Sequence, residues 1–196
     1  STGETVITVN LTTPVMKTST TATFQNSIDP YYRMDDITVP SRAPGSPEFL
    51  AALWPAETKL AANFVRHVPW FPYPRLAVAE LAEGAWDFSL IDPITNAFMG
   101  AMASANSSVV MNFATIPQWL WETSAPVPVP EDPNVRYVDY EQGTTLADPT
   151  FTKVCDYFER LYRYYTQGGM TDENGAWHAG YEYTFPWIEV LNEPDF

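Results

Sequence analysis

The sequence predicts an α/β fold, and within that class the N-terminal half of a (β/α)8 TIM barrel. Segments with strand character alternate with helical segments in the order strand, helix, strand, helix, strand, helix, strand. Such alternation implies parallel strands joined by right-handed crossovers. No Gly-x-Gly-x-x-Gly follows the first strand and no Walker loop occurs, so the nucleotide-binding α/β folds lose support. Four strands of an eight-stranded barrel remain as the prediction.

The chain divides into a short N-terminal β segment, residues 1–20, and the half-barrel, residues 21–196. The N-terminal segment is predicted from an alternating, β-branched run at residues 6–11. The barrel strands are predicted from short apolar or β-branched runs between turn signals. These strands are residues 21–26, 64–68, 108–113 and 185–191.

The first two helices are predicted from their start signals and from an apolar face. Ser46-Pro47-Glu48 begins the first helix, with Ser as the cap and Pro at the first position. Pro55 is a kink or break within it. The second helix begins near Asp92-Pro93, and spacings of three and four place its apolar residues on one face. This face consists of Ile91, Ile94, Phe98 and Met102.

The third helix carries the clearest pattern. Asp148-Pro149 caps its start and Gly168-Gly169 ends it. Its apolar stripe is predicted to contain Phe151, Val154, Cys155, Phe158, Leu161, Tyr162 and Tyr165. Cys155 is therefore expected to be a buried core thiol. Before this helix, a long proline-rich loop starts at Pro126, and long loops on a rigid scaffold commonly shape binding sites. After it, residues 175–180 are predicted to be a loop.

The composition limits the classes of molecule that the chain is expected to bind. A net charge of −14 and a pI near 4.3 argue against nucleic acid or an anionic membrane, and they suit a neutral substrate. Aromatic residues make up 15% of the chain, and aromatic rings stack on sugar faces as well as filling cores. No run of 18 apolar residues is present, so no membrane span is predicted.

The sequence also suggests a secreted, extracellular protein. The chain begins at Ser1 without Met, as a processed secretory protein does. Two glycosylation acceptor sequences are present, Asn10-Leu11-Thr12 and Asn106-Ser107-Ser108. The single cysteine allows no internal disulfide.

The last strand ends on Asn192-Glu193-Pro194, and Pro194 stops it because proline cannot donate to a sheet ladder. In a barrel, catalytic groups sit at the C-terminal ends of strands. A half-buried carboxyl group there has a raised pKa, which suits a general acid. The alternative is that the tripeptide is a polar turn after a strand.

Four segments together resemble the N-terminal half of a clan A glycoside hydrolase, most closely family 39, the β-xylosidases and α-L-iduronidases. Phe64-Val65-Arg66-His67 resembles the strand-two segment of that family. Trp86-Asp87-Phe88-Ser89-Leu90-Ile91-Asp92 resembles its entry to the second helix, and Ile116-Pro117-Gln118-Trp119-Leu120 its Pro-x-x-Leu. Residues 187–195 resemble its Trp-x-x-Glu-Val-Trp-Asn-Glu-Pro-Asn, with Leu191 in place of Trp and Asp195 in place of Asn.

The resemblance implies a retaining β-glycosidase that needs no metal or other cofactor and acts on a glycoside or oligosaccharide. It assigns the general acid/base role to Glu193 and a hydrogen bond to the sugar 2-hydroxyl to Asn192. The nucleophile of the clan is a Glu at the end of strand seven, about 5–5.5 Å from the acid/base. Residues 1–196 do not contain a seventh strand, so that Glu must come from elsewhere.

Five further residues are candidates for substrate binding. Arg66 and His67 form a polar pair at a strand end, and His67 either binds a sugar hydroxyl or has a structural hydrogen-bonding role. Trp70, Trp119 and Trp121 follow strand ends and either stack on a sugar ring or pack in the core. The two histidines of the chain show no metal-ligand spacing, and no Ser-His-Asp arrangement is indicated.

The other acidic residues receive more ordinary roles. Glu189 lies four residues before Glu193, which predicts the same strand face for both, and it either lines the barrel or pairs with Arg66. Glu182, Asp92 and Asp87 are predicted to be surface or capping groups.

Half a barrel leaves its first and fourth strands with unpaired edges. We therefore expect a second polypeptide or a downstream segment to supply strands five to eight, and we expect Trp187, Ile188 and Val190 to face water without it. Two alternatives stay open. One is a non-catalytic carbohydrate-binding or toxin-like protein on a glycosidase-derived barrel. The other is a self-sufficient α/β domain in which Glu193 is an ordinary C-terminal group.

Overall fold

The computed structural model describes residues 12, 21–26, 52, 55–56, 58–60, 62–68, 79–114, 116–125 and 144–191. The strands, in chain order, are β1 (Thr23–Asn26), β2 (Phe64–His67), β3 (Glu80–Ala82), β4 (Ala85–Trp86), β5 (Ser108–Phe113), β6 (Gly169–Thr171), β7 (Trp177–Ala179) and β8 (Trp187–Val190). The helices are α1 (Ile91–Ala105) and α2 (Thr152–Thr166), with a 3-10 helix at Gln118–Leu120. Residues 52, 55–56 and 58–60 are also helical.

The centre of the described chain is a four-stranded sheet in the order β1-β2-β5-β8, with every neighbouring pair parallel. Helical residues separate β1 from β2, α1 separates β2 from β5, and α2 separates β5 from β8. The four predicted strands and their parallel arrangement are therefore confirmed. Closure of these strands into an eight-stranded barrel stays a prediction. The strand predicted at residues 6–11 lies outside the described residues.

The two faces of the sheet differ in chemistry. On one face, α1 packs through Phe98, whose ring stacks on His67 with centroids 4.0 Å apart. Val109, Met111 and Phe113 of β5 share this face and belong to the same core as buried residues of α2. Because side chains alternate along a strand, Arg66, Asn112 and Glu189 lie on the opposite face. Both described helices thus cover one face, and the polar side chains lie on the other.

Helix α1 matches its prediction, since Ile91, Ile94, Phe98 and Met102 are all buried. For helix α2, the predicted buried face is partly wrong. Cys155 is exposed rather than buried, Tyr162 is 37% exposed, and Phe151 is 59% exposed and precedes the helix. The buried stripe of α2 consists of Val154, Tyr157, Phe158, Leu161, Tyr164 and Tyr165. Cys155 and Tyr162 each follow a buried residue, and a single step along a helix turns the side chain by about 100°.

A second correction concerns residues 175–180, which were predicted to be a loop. Residues 177–179 are strand β7, which pairs antiparallel with β6. The turn between them is organised by Asp172, whose Oδ1 accepts the backbone N–H groups of Asn174 and Ala176, both at 2.9 Å. Gly175 has a φ of 82° in this turn, a conformation that glycine adopts without steric cost. The hairpin β3–β4 is a further element without a sequence prediction.

Strand β8 lies at an edge of the described sheet. Its apolar residues Trp187, Ile188 and Val190 are 52%, 38% and 52% exposed, which confirms that they face water in this chain. No helix among the described residues has the length and apolarity needed to cross a membrane.

Candidate functional site

A network of polar side chains crosses the sheet from β1 to β8 on the face that α1 and α2 do not cover, which we call the open face. Arg66 lies at the centre of this network. Its Nε donates to Oε2 of Glu189 at 2.6 Å, and its Nη1 donates to Oε1 of Gln25 at 3.2 Å. Strand register explains the arrangement, because Gln25 is directly beside Arg66 and Asn112 is directly beside Glu189. Of the two roles predicted for Glu189, the pairing with Arg66 is confirmed.

Asn112 joins this network from β5, and its side chain is fully buried. Its Nδ2 donates to Oε2 of Glu189 at 3.0 Å and to the carbonyl oxygen of Leu191 at 2.9 Å. Leu191 in turn donates its N–H to the carbonyl of Phe113 at 2.7 Å. Asn112 therefore fixes the end of β8 immediately before Asn192. Sequence reasoning missed this residue, although a lone Asn near the end of the apolar run Ser-Val-Val-Met-Asn-Phe was the available signal.

Leu191 has a φ of 68°, in the left-handed region that is costly for a branched side chain. A residue in this conformation ends the regular alternation of the strand. The prediction that Glu189 and Glu193 share one face assumed that the alternation continues past position 191, so this reason for it no longer holds. Asn192 and Glu193 themselves lie outside the described residues, as do Trp70 and Asn10.

His67 lies on the helix-covered face and not beside the Arg66 network. It is fully buried against Phe98, and neither ring nitrogen has a hydrogen-bond partner among the described residues. Burial lowers the pKa of His67 to about 3, because the surrounding apolar groups disfavour the charged imidazolium. The ring is therefore neutral at physiological pH. The structure thus separates the predicted polar pair Arg66 and His67 onto opposite faces.

Trp119 and Trp121 follow the C-terminal end of β5, the end of the sheet at which Leu191 also lies. Trp119 is partly buried against the core, and the Nζ of Lys153 lies 5.7 Å from its ring centroid. Trp121 forms a backbone bridge with Leu146 and is partly exposed. Both tryptophans therefore lie at the predicted end of the sheet, with Trp119 the more engaged in packing.

The prediction that Asp92 has a surface or capping role is wrong. Its carboxylate accepts hydrogen bonds from the hydroxyl groups of Tyr164 at 2.7 Å, Tyr165 at 2.8 Å and Tyr181 at 3.1 Å. Burial and the neighbouring carboxylate raise the pKa of both Tyr164 and Tyr165. Asp92 thus joins α1 to α2 and to the segment that leads into β8. The Oδ1 of Asp87 accepts the N–H of Ser89 in the turn before α1, and no side chain caps the start of α1, so Asp87 is not a helix cap.

The described residues contain no group of three or more His, Cys, Asp or Glu side chains placed to hold a metal ion. A scan against protein-family models and searches of curated proteins and of solved structures found no match for this chain. What the chain does is therefore inferred from its own residues.

Proposed function

We propose that this chain is the N-terminal half of a retaining β-glycosidase with a (β/α)8 barrel, in which Glu193 is the general acid/base. One observation supports the proposal above the others. The strand that leads directly into Asn192-Glu193 is the last of four parallel strands arranged in chain order. In a barrel built in this order, the residues after β8 would follow the C-terminal end of a strand, where barrel enzymes carry their catalytic groups.

The polar network adds a second line of support. Arg66, Asn112 and Glu189 lie on the face not covered by the described helices, which is the face that a barrel turns inward. Asn112 also holds the carbonyl of Leu191, one residue before Asn192. A catalytic group needs such support, because small displacements of the reacting groups are costly in rate.

The proposed reaction has two steps. A Glu carboxylate from a second polypeptide or a downstream segment attacks the anomeric carbon while the glycosidic C–O bond breaks, and Glu193 gives its proton to the leaving oxygen. In the second step, Glu193 takes a proton from water while the water oxygen bonds to the anomeric carbon and the C–O bond to the nucleophilic Glu breaks, which releases the sugar with retained configuration. Asn192 donates a hydrogen bond to the 2-hydroxyl, which is strongest in the transition state.

The proposal includes secretion and glycosylation at Asn10 and Asn106. The position of Asn106 is compatible with glycosylation, since this residue is exposed at the end of α1. Treatment of the secreted protein with an amidase that removes N-glycans is expected to convert Asn106 to Asp, which peptide mass spectrometry detects. An unmodified Asn106 in secreted material would contradict this part.

The acid/base role is tested by Glu193→Gln in the protein that contains the completed barrel. We expect hydrolysis of xylobiose, in which the leaving xylose is a poor leaving group, to fall at least about 1000-fold. Hydrolysis of 2,4-dinitrophenyl β-xyloside should fall far less in its first step, since this leaving group needs little protonation. Added azide should accelerate the variant and yield a β-glycosyl azide.

Glu182→Gln is the matched control, because Glu182 is exposed and lies outside the motif. Full activity of Glu193→Gln on xylobiose would refute the assignment. A wild-type protein that binds these sugars without hydrolysing them would support the non-catalytic carbohydrate-binding alternative instead.

A further inference from the structure

A polar groove lies between the exposed side of α2 and the hairpin β6–β7, away from the Arg66 network. Its volume is about 360 Å³. The residues of interest in its wall are Asp156, Arg160, Arg163, Gln167, Thr171 and Trp177. We call it the α2–hairpin groove.

Trp177 forms an aromatic wall of this groove and is 63% exposed. Its ring lies directly on the backbone of Gly169, where a Cβ atom would come within 2.5 Å of Cζ2. Gly169 has a φ of 145°, so both its conformation and the space beside it favour glycine. The backbone therefore supports one side of the indole, while much of the remaining ring surface is open to solvent.

The groove wall contains two Arg and two acidic side chains, so its positive and negative charges are equal in number. Arg160 pairs with Glu173, and Arg163 donates through Nε and Nη2 to Oε1 of Glu159 at 2.9 and 2.6 Å. Asp156 adds one more negative charge. Since both guanidinium groups already have a carboxylate partner, the groove does not favour an anion such as phosphate.

The polar groups of the groove suit a ligand rich in hydroxyl groups. Guanidinium N–H groups not used in the ion pairs donate, the carboxylates of Asp156 and Glu159 accept, and the Gln167 amide does both. Most small-molecule sites combine such a set of polar groups with an aromatic surface. A sugar offers the matching pair of surfaces, with hydroxyl groups at its rim and C–H groups on its ring faces.

We infer that the α2–hairpin groove binds a neutral oligosaccharide, with one sugar ring stacked on Trp177. This site performs no chemistry and is separate from Glu193. Its existence does not depend on the proposed glycosidase activity, because it is built from α2 and the hairpin alone. In a glycosidase, such a site would hold a polymeric substrate near the enzyme.

Binding is measured on the full chain with xylohexaose, cellohexaose and mannohexaose as separate probes. The readout is the indole N–H resonance of Trp177 in ¹H–¹⁵N NMR spectra, assigned from its loss in Trp177→Phe. We expect at least one hexasaccharide to shift this resonance with a Kd of about 1 mM or below. The Trp177 variants lack this resonance, so their Kd is obtained from the shifts of other resonances of the groove.

Trp177→Ala should weaken this binding by about tenfold or more, whereas Trp177→Phe should stay within about threefold because it keeps an aromatic face. Tyr162→Ala is the matched control, since Tyr162 is a partly exposed aromatic residue of α2 that lies outside the groove wall. It should leave the Kd unchanged. Glu193→Gln should also leave it unchanged, so that failure of the catalytic proposal is distinguishable from failure of this one.

Three results would overturn the inference. The first is that none of the three hexasaccharides shifts the Trp177 resonance at about 10 mM. The second is that Trp177→Ala and Tyr162→Ala weaken binding equally. The third is that a heparin hexasaccharide of the same length binds more tightly than every neutral probe, which would identify an anion site.

Discussion

Strands β5 and β8 are neighbours in one sheet, yet they differ sharply in burial. Met111 and Phe113 of β5 are at most 1% exposed, while their register partners Ile188 and Val190 on β8 are 38% and 52% exposed. All four side chains are apolar and lie on the same face of the sheet. β8 thus has the composition of an interior strand in the position of an edge strand. This difference supports the proposal that β8 pairs with a neighbour that the described residues do not provide.

The largest effect on stability is expected from a pair of alanine substitutions at two residues that face each other in the register of β5 and β8. Met111→Ala should lower the free energy of unfolding by about 2–5 kcal/mol, because it leaves a cavity in a closed core. Ile188→Ala should cost less than about 1 kcal/mol in the 196-residue chain, since its side chain already contacts water. Urea unfolding of the two variants measures both values.

In the protein with a completed barrel, the cost of Ile188→Ala should rise toward that of Met111→Ala. Equal costs in the 196-residue chain alone would break the comparison, because they would mean that β8 is already covered.

A pH-dependent effect on stability is expected from a buried carboxyl group in β3. The Glu80 carboxyl group is fully buried, and its Oε1 accepts the N–H of Gly84 at 2.6 Å. Burial raises the pKa of Glu80 from 4.5 to about 7, with smaller contributions from Glu173 and Glu83. Between these two values the folded state binds more protons at Glu80 than the unfolded state. This group therefore lowers stability as pH rises from about 4.5 through 7.

Glu80→Gln is neutral at every pH and should remove that dependence. Relative to the wild type, the variant should gain about 1–3 kcal/mol in free energy of unfolding between pH 4.5 and pH 8. Urea unfolding at the two pH values tests this, with Glu122→Gln as the exposed control. A constant difference between variant and wild type across the range would show that Glu80 ionises normally.

The smallest effect concerns the ion pair on the open face. The side chains of Arg66 and Glu189 are 23% and 42% exposed, so solvent screens much of their attraction. A double-mutant cycle with Arg66→Met and Glu189→Gln should give a coupling energy of about 0.5–1 kcal/mol in the 196-residue chain. Barrel completion should increase it, because the pair would then be buried. A coupling that does not change on completion would place this face outside the barrel interior.

Local periodicity predicted the regular elements well. The four parallel strands followed from short apolar runs, the buried face of α1 from apolar spacing after the start signal near Asp92, and the end of α2 from Gly168 and Gly169. Apolar spacing failed for Cys155. Apolar and aromatic residues occupy so much of the circumference of α2 that the spacing did not show which of them face the core. The hairpin β6–β7 was missed because its short strands carry no alternating pattern.

The contacts of the candidate site were less predictable than its position. Three tyrosine hydroxyl groups from two distant segments converge on Asp92, and no local pattern of residues signals such a meeting. The pairing of Arg66 with Glu189 was foreseen as one of two roles. The part played by Asn112 depends on the register of β5 against β8, which only the folded sheet sets.

The central claim, that β8 is an interior barrel strand with one side open in this chain, is tested most directly by amide hydrogen exchange. Leu191 donates its N–H toward β5, and N–H groups alternate in direction along a parallel strand, so those of Ile188 and Val190 point away from β5. We predict fast exchange at Ile188 and Val190 in the 196-residue chain, slow exchange at Met111, and protection of all three in the protein with a completed barrel. Protection at Ile188 and Val190 equal to that of Met111 in the 196-residue chain alone would contradict the claim, because the open side would then already be paired.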